Sequence, residues 1–116
     1  MVNQIVSFLS LLVGEALSII SENIFAKRIH DGKSFYASLP LPLILIMIGG
    51  FLLVVGYGTG IRGFRNIWIV VLLSIFSIVL VEPAVSYLLF REFPTKGQYI
   101  GIALSIVGIV IATTVK

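Results

Sequence analysis

The amino-acid sequence predicts an all-α integral membrane protein whose four transmembrane helices form an antiparallel bundle. Of its 116 residues, 59% are hydrophobic and 11% are charged, whereas about a quarter of the residues in a soluble domain are charged. The mean hydropathy is +1.15. Because about 20 apolar residues cross a hydrocarbon layer of ~30 Å, this length allows four or five spans joined by short loops. No room remains for a water-soluble catalytic domain, so we expect no enzyme activity.

Apolar runs separated by short polar segments define the predicted spans. They lie at about residues 5–26, 41–59, 67–90 and 98–114 of a single transmembrane domain that covers residues 1–116. None of them alternates polar with apolar residues over about ten positions, which excludes membrane-spanning strands. The connections are too short for separate domains, so consecutive helices should run in opposite directions.

The first two spans have recognisable limits in the sequence. The first run contains Glu15 and has no positively charged start, so we interpret it as a retained span rather than a signal peptide. It should end before the polar turn that begins at Lys27. The second follows Pro40, which suits a first helical turn because the N–H groups there have no intrahelical partner. The glycine-rich run 56–60 should let this second helix end and turn.

The last two spans are marked by aromatic residues and by loop charges. Trp68 stands at the start of the third span and Tyr87 toward its end, as expected for an aromatic belt at each membrane interface. Lysine and arginine number five in the first and third loops, against three in the second loop and at the C-terminus. This excess favours both termini outside. So small a margin would also permit insertion in both directions, and hence an antiparallel dimer.

Glu15 is the first candidate functional residue. A carboxylate deep in a span costs about 2.5 to 3.5 kcal/mol on insertion scales, so such a residue needs a reason. Counting in threes and fours places Ser7, Leu11, Ser18 and Glu22 on the face of Glu15. Such a stripe could line a polar cavity in which one carboxyl group holds either a proton or a cation, as exchange requires. Alternatively, a protonated Glu15 only hydrogen-bonds to a neighbouring helix.

Glu82 is the second candidate. It precedes Pro83, which removes one backbone donor and frees the carbonyl of Val79 inside the third helix. An acid beside such a kink could form a gate or a second ion site. Alternatively, Glu82 lies near the membrane interface or bonds to Ser86, one turn further on.

The fourth span carries a stripe of small residues. Gly97, Gly101, Ser105, Gly108 and Ala112 are spaced by four, four, three and four positions and therefore share one face. Such small-xxx-small patterns allow close approach of membrane helices. A weaker version occurs in the first span, at Ser10, Gly14 and Ser18. We favour an intermolecular contact for the fourth span, because four helices alone enclose little room for a substrate path; packing within one chain is the alternative.

Several other kinds of site find no support in the sequence. His30 lies in a charged loop with no second ligand nearby, and there is no cysteine, so we expect no metal site. No Gly-Lys-Ser/Thr follows the glycine-rich run, which is therefore not a phosphate-binding loop. The net charge of +3 comes without a basic stripe, so we expect no nucleic-acid partner. We also expect no cofactor.

Short motifs in three of the spans resemble a known family of transporters. They are Glu82-Pro83 followed by the stretch 88–94, then Gln98-Tyr99-Ile100-Gly101, the stretch 106–110 with Gly108 at its centre, and Ser21-Glu22-Asn23 leading to Lys27. This pattern resembles the repeat unit of the drug/metabolite transporter superfamily. Four spans in little more than a hundred residues are similar to its smallest members, the small multidrug resistance transporters and the paired subunits that flip lipid-linked aminoarabinose.

The resemblance to the drug-exporting branch implies a homodimer, often antiparallel. It also implies a carboxylate in the first helix that exchanges protons for cationic aromatic substrates. Glu15 matches that carboxylate in its distance from the N-terminus and in its depth. Trp68 resembles the tryptophan at the start of the third helix of that branch.

The preferred hypothesis is therefore a small proton-coupled exporter of a cationic or aromatic compound in the cell membrane, working as a homodimer or with a paired small subunit. Glu15 and Glu82 would couple protons, and Ser18, Tyr57 and Trp68 would contact substrate, the two aromatics by cation–π attraction. One alternative is a lipid-linked sugar flippase subunit, with Lys27, Arg62 or Arg65 on a headgroup phosphate. Another is a non-transporting accessory subunit that packs through the small-residue stripe.

Overall fold

The structure, a computed structural model, describes residues 1–115 and is helical throughout apart from short connections. The helices are α1 (Val2–His30), α2 (Phe35–Ser38), α3 (Pro40–Phe64), α4 (Ile67–Phe90) and α5 (Lys96–Thr114). Four segments are long and apolar enough to cross a membrane: Val2–His30, Phe35–Phe64, Ile67–Phe90 and Lys96–Thr114. The predictions of an all-α protein and of four candidate membrane spans are confirmed.

The second span is longer than predicted. α3 continues through the glycine-rich run 56–60 to Phe64 and ends only at Arg65, which adopts the left-handed conformation (φ 56°, ψ 26°). The expectation that this run ends the helix is wrong. Gly56 and Gly60 are instead buried against α1, and a backbone in apolar surroundings keeps its hydrogen bonds by remaining helical.

The first helix also extends beyond its predicted end. α1 continues one turn past position 26, so Lys27 and His30 belong to its last turn rather than to a loop. The chain then turns at Gly32, whose φ of +82° is one that residues with a side chain rarely adopt. The following polar segment forms the short helix α2 before α3 begins.

The tightest packing in the chain joins α1 to α3. Gly14 and Gly49 approach so closely that a Cβ atom on either would lie 2.9 Å from the other's carbonyl oxygen. The Ser7 hydroxyl donates to the carbonyl of Gly56 over 2.7 Å, and the Ser21 hydroxyl donates to another α3 carbonyl. Small residues near the start of α1 thus contact the last part of α3. These side-chain-to-backbone bonds are of the kind that holds membrane helices together.

α4 packs on the other side of α1, and α5 is the most loosely attached helix. Among residues 1–115, α5 contacts only α4, and none of its residues is buried. It starts with a capping box in which Thr95 and Gln98 bond each other's backbone. The Cα atoms fill an envelope of 47 × 34 × 15 Å. The long helices therefore form a flattened array, with α5 at one edge.

Candidate functional site

The interface between α1 and α4, here called the α1–α4 seam, carries two groups of polar side chains. Glu15 meets Ser74, and Asn23 meets Glu82. Both pairs have the same offset of 59 residues along the chain. The two groups lie eight positions apart on each helix, which corresponds to about 12 Å along the helix axis.

The inner group is a single hydrogen bond in the middle of the molecule. The hydroxyl of Ser74 donates to Oε1 of Glu15 over 2.6 Å. Glu15 is only 9% exposed and Ser74 only 6%. Glu15 is thus hydrogen-bonded to a neighbouring helix.

The outer group is a three-residue network. The side-chain amide of Asn23 donates to the carbonyl of Ile19 over 2.8 Å and to Oε1 of Glu82 over 3.1 Å. The Ser86 hydroxyl lies 3.1 Å from Oδ1 of Asn23 and 3.4 Å from Oε1 of Glu82. The amide therefore uses both of its N–H groups and its oxygen. The expected contact of Glu82 with Ser86 is present as the longest bond of this network.

Asn23 is the functional candidate that was not singled out from the sequence. It is 8% exposed and joins α1 to two residues of α4. A primary amide within an apolar span is itself a signal, because interhelical hydrogen bonds commonly satisfy such groups.

The predicted polar stripe of α1 does not lie on one buried face. Ser7, Leu11, Glu15 and Ser18 are buried, but Glu22 is exposed. Glu22 remains close enough to the carboxyl groups of the α1–α4 seam for their charges to interact. The stripe therefore divides between the α3 side and the α4 side of α1.

Ser18 faces α3. Its hydroxyl donates to the carbonyl of Gly14 over 2.9 Å, and a Cβ atom on Gly49 would lie 2.8 Å from it. The hydroxyl thus helps α1 to pack on α3. The structure does not place it beside the bond between Glu15 and Ser74.

The two aromatic residues predicted to contact substrate lie toward the opposite end from Asn23. Trp68 is 71% exposed and lies six positions before Ser74, about 9 Å along α4. Tyr57 is half-buried. It follows Gly56, whose Cβ atom would touch Leu11. Neither aromatic is among the hydrogen-bonded residues of the α1–α4 seam.

The three basic residues predicted to contact a headgroup lie at opposite ends of the molecule. Lys27 pairs with Asp31 at 3.3 Å near the end of α1. Arg62 and Arg65 lie at the end of α3, which is fastened to the start of α1 by a bond from the Gln4 amide over 3.1 Å. Residues 4 and 27 are 23 positions apart, about 35 Å along α1. One phosphate cannot reach both sets.

A cleft of about 660 Å³, here called the α4–α5 cleft, opens where α4 ends and α5 begins. One residue of α1, Asn23, forms part of its wall, and Gly101 and Ser105 of the small-residue stripe form another part. Its other lining residues are Pro83, Ser86, Tyr87, Phe90, Glu92, Phe93, Pro94, Gln98 and Ile102. Glu82 lies behind Asn23 and Ser86, to which it is bonded, and Glu15 is not part of the lining.

The small-residue stripe of α5 is not used for packing within residues 1–115. A Cβ atom on Gly101 or Gly108 would meet nothing within 4 Å, and one on Gly97 would meet only Thr95 at 4.0 Å. Ser105 and Ala112 are exposed as well. The close glycine contacts are those of α3 instead. Gly101 and Ser105 thus border the α4–α5 cleft, and the rest of the stripe remains an open surface in the single chain.

Comparison of the chain with protein-family models, with curated proteins and with solved structures gives no match. The resemblance to the drug/metabolite transporter superfamily therefore stays a prediction from short motifs. What the structure adds is the geometry of the α1–α4 seam and of the α4–α5 cleft.

Proposed function

We propose that this protein is a small secondary transporter of the drug/metabolite type in the cell membrane, which exports a cationic or aromatic compound in exchange for protons. The observation that carries the proposal is the buried bond between Glu15, in the middle of one candidate span, and Ser74, the eighth of 24 residues in another. Ionisable groups at such depth are costly and are functional by default.

The hydroxyl partner suits a carboxyl group that changes its protonation state. A serine hydroxyl can donate to a carboxylate and can accept from a carboxylic acid. Ser74 can therefore stay bonded to Glu15 whether or not the carboxyl group carries a proton. A cation that approaches the carboxylate would take the place of the proton. Binding of the cation would thereby be coupled to release of the proton.

A dimeric antiparallel bundle is part of the proposal. The flattened array of one chain encloses little volume, and α5 leaves its small-residue stripe uncovered. A second copy against α5 would provide further walls for a substrate path and would cover Gly108 and Ala112, which lie outside the lining of the α4–α5 cleft. The directions of the contacts between α1 and α3 support the antiparallel arrangement.

The test is proton release from the purified protein when tetraphenylphosphonium is added. We expect release from the wild type and none from Glu15→Gln, because the amide carries no exchangeable acid proton. Asp31→Asn is the matched control. It also replaces an acid by its amide, but at the end of α1 and at an exposed position. Equal release from wild type and Glu15→Gln, with both shown to be folded, would refute the role of Glu15.

One observation favours a second candidate, the accessory subunit. An α5 without a single buried residue is available to any membrane partner. In that case Glu15→Gln would leave function intact, whereas Gly108→Leu would detach the chain from its partner complex.

The structure gives less support to the flippase alternative, in which basic residues bind a headgroup phosphate. Lys27 lies far from Arg62 and Arg65, so one phosphate cannot contact all three.

A further inference from the structure

The α4–α5 cleft lies at one end of the helices, where the candidate span of α4 ends and that of α5 begins. Its rim belongs to the connection between Phe90 and Lys96. Since α5 contacts α4 but not α1 among residues 1–115, the cleft has no closed wall between α1 and α5. It therefore opens sideways, toward the lipid, as well as toward the ends of these spans.

The polar lining of this cleft offers acceptor oxygens and carries no positive charge, and Gln98, Ser105 and Tyr87 add groups that can also donate. Asn23 contributes Oδ1, Ser86 its hydroxyl and Glu92 a carboxylate, and no lysine or arginine lines the cleft. Behind this wall lies the carboxyl group of Glu82. Such a set of acceptors is complementary to a cation that carries several N–H groups.

The rest of the lining is apolar, which suits a ligand with a hydrocarbon part. Tyr87 and Phe93 stack with their ring centroids 4.9 Å apart, and Phe90 and Ile102 extend the surface. One face of Phe90 already carries the ammonium group of Lys27 at 5.7 Å.

We propose that the α4–α5 cleft is a lipid site selective for a primary ammonium headgroup, of which phosphatidylethanolamine is the common example. The ammonium group would donate its three N–H bonds to Asn23, Ser86 and Glu92. Arg91 and Lys96 flank the connection that carries Glu92, and their cations would pair with the phosphate. The acyl chains leave through the open side between α1 and α5.

A lipid is the occupant to which this geometry commits. The cleft opens into the bilayer, where lipid is the solvent. A quaternary headgroup would leave the acceptors without donors, and a headgroup without a cation would leave the carboxylate of Glu92 in the lining unpaired. This site goes beyond the proposed transport function and does not depend on it, because lipid binding is measured without substrate or protons.

The test is native mass spectrometry of the purified protein with phosphatidylethanolamine, phosphatidylcholine and phosphatidylglycerol of identical acyl chains. We expect phosphatidylethanolamine to bind at least about fivefold more tightly than the other two, which corresponds to roughly 1 kcal/mol. Glu92→Gln should abolish most of this preference. Gly101→Leu, which fills the cleft, should remove the bound lipid itself.

Gly108→Leu is the matched control. It places the same side chain on the same helix, also where a Cβ atom meets nothing within 4 Å, but outside the cleft lining. It should keep the lipid preference. Equal binding of all three lipids, or retention of the preference in both Glu92→Gln and Gly101→Leu, would overturn the proposal.

A second copy of the chain seated in the cleft would give a different result. Light scattering would then show that Gly101→Leu loses its dimer while wild type shows no headgroup preference, which also overturns the lipid site. Glu92→Gln keeps the test decisive if Gly101→Leu does not fold, because position 92 is exposed. Failure of the transport proposal would appear elsewhere, as absent proton release with lipid preference intact.

Discussion

Ser74 is the residue on which the buried carboxyl group of Glu15 depends for a hydrogen bond from another helix. Such bonds between membrane helices contribute on average about 0.6 kcal/mol and at most about 2 kcal/mol. The wide range arises because the unfolded chain in the membrane also finds partners. The burial of both residues places this bond toward the upper part of the range.

We therefore predict that Ser74→Ala lowers the free energy of unfolding by about 1–2 kcal/mol, measured by titration with denaturing detergent. Ser77→Ala is the control, because Ser77 is also buried but bonds only to the carbonyl of Leu73 in its own helix. Its loss should stay below about 0.5 kcal/mol. Equal losses in the two variants would show that the bond to Glu15 contributes nothing specific.

Asn23 shows why a residue's role is hard to foresee from its position alone. The sequence places a polar residue near the end of a span, where a solvated side chain is equally plausible. Only the approach of Glu82 and Ser86, about 60 residues away in the chain, makes it the centre of a network. That approach is a property of the α1–α4 seam and not of the local sequence.

At the scale of elements, the contact between α1 and α3 depends on small residues in heptad register. Pro42, Gly49, Gly56 and Gly63 recur every seven positions in α3. Opposite the first three lie Ser21, Gly14 and Ser7, which also recur every seven positions. A seven-residue repeat keeps one helix face toward a partner over several turns. The pattern is visible in the sequence, although its meaning depends on which helix lies opposite.

We predict that Gly49→Ala destabilises the fold by about 1–3 kcal/mol, since inserting a methyl group into a packed interface forces backbone shifts. The new Cβ atom would lie 2.8 Å from the Ser18 hydroxyl and 2.9 Å from the carbonyl of Gly14. The measurement is again detergent-induced unfolding.

Gly50→Ala provides the neighbouring control. A Cβ atom there meets nothing within 4 Å, and alanine favours the helix by about 1 kcal/mol over glycine. The variant should be neutral or slightly more stable than wild type. If Gly49→Ala behaves in the same way, the two helices are not as close as the structure has them.

At the scale of the whole molecule, the proposal of a second copy rests on the flattened array and on the uncovered α5. The exposed apolar surface would contact lipid in any case, so exposure alone decides nothing about assembly. The argument for a second copy comes from the small-residue stripe, which permits close approach and is not used within residues 1–115.

Gly108→Leu should accordingly lower the dimer fraction of the purified protein at least tenfold, measured by light scattering in mild detergent. Gly58→Leu is the comparison, because a Cβ atom at this position of α3 also meets nothing within 4 Å. It should leave the dimer intact. A monomeric wild type, or equal effects of both variants, would show that α5 does not form a dimer interface.

The sequence by itself determined that the protein is helical and where its four candidate spans lie. Hydropathy is a local property, and a run of apolar residues must satisfy its backbone hydrogen bonds within a helix wherever it meets the membrane. The sequence also marked Glu15 and Glu82 as acids that need partners, because a carboxyl group within an apolar run must be paired or hydrated wherever its helix packs.

Only the tertiary structure decided what those residues meet. The glycines of run 56–60 could either end a helix or allow it to pack closely on another. The presence of α1 against them decides for close packing. Likewise, Ser74, Asn23 and the α4–α5 cleft become a site only when distant segments approach each other. The physical reason is the same throughout: small and polar side chains draw their energetic role from the atoms opposite them, whereas hydrophobicity is already fixed by the residue itself.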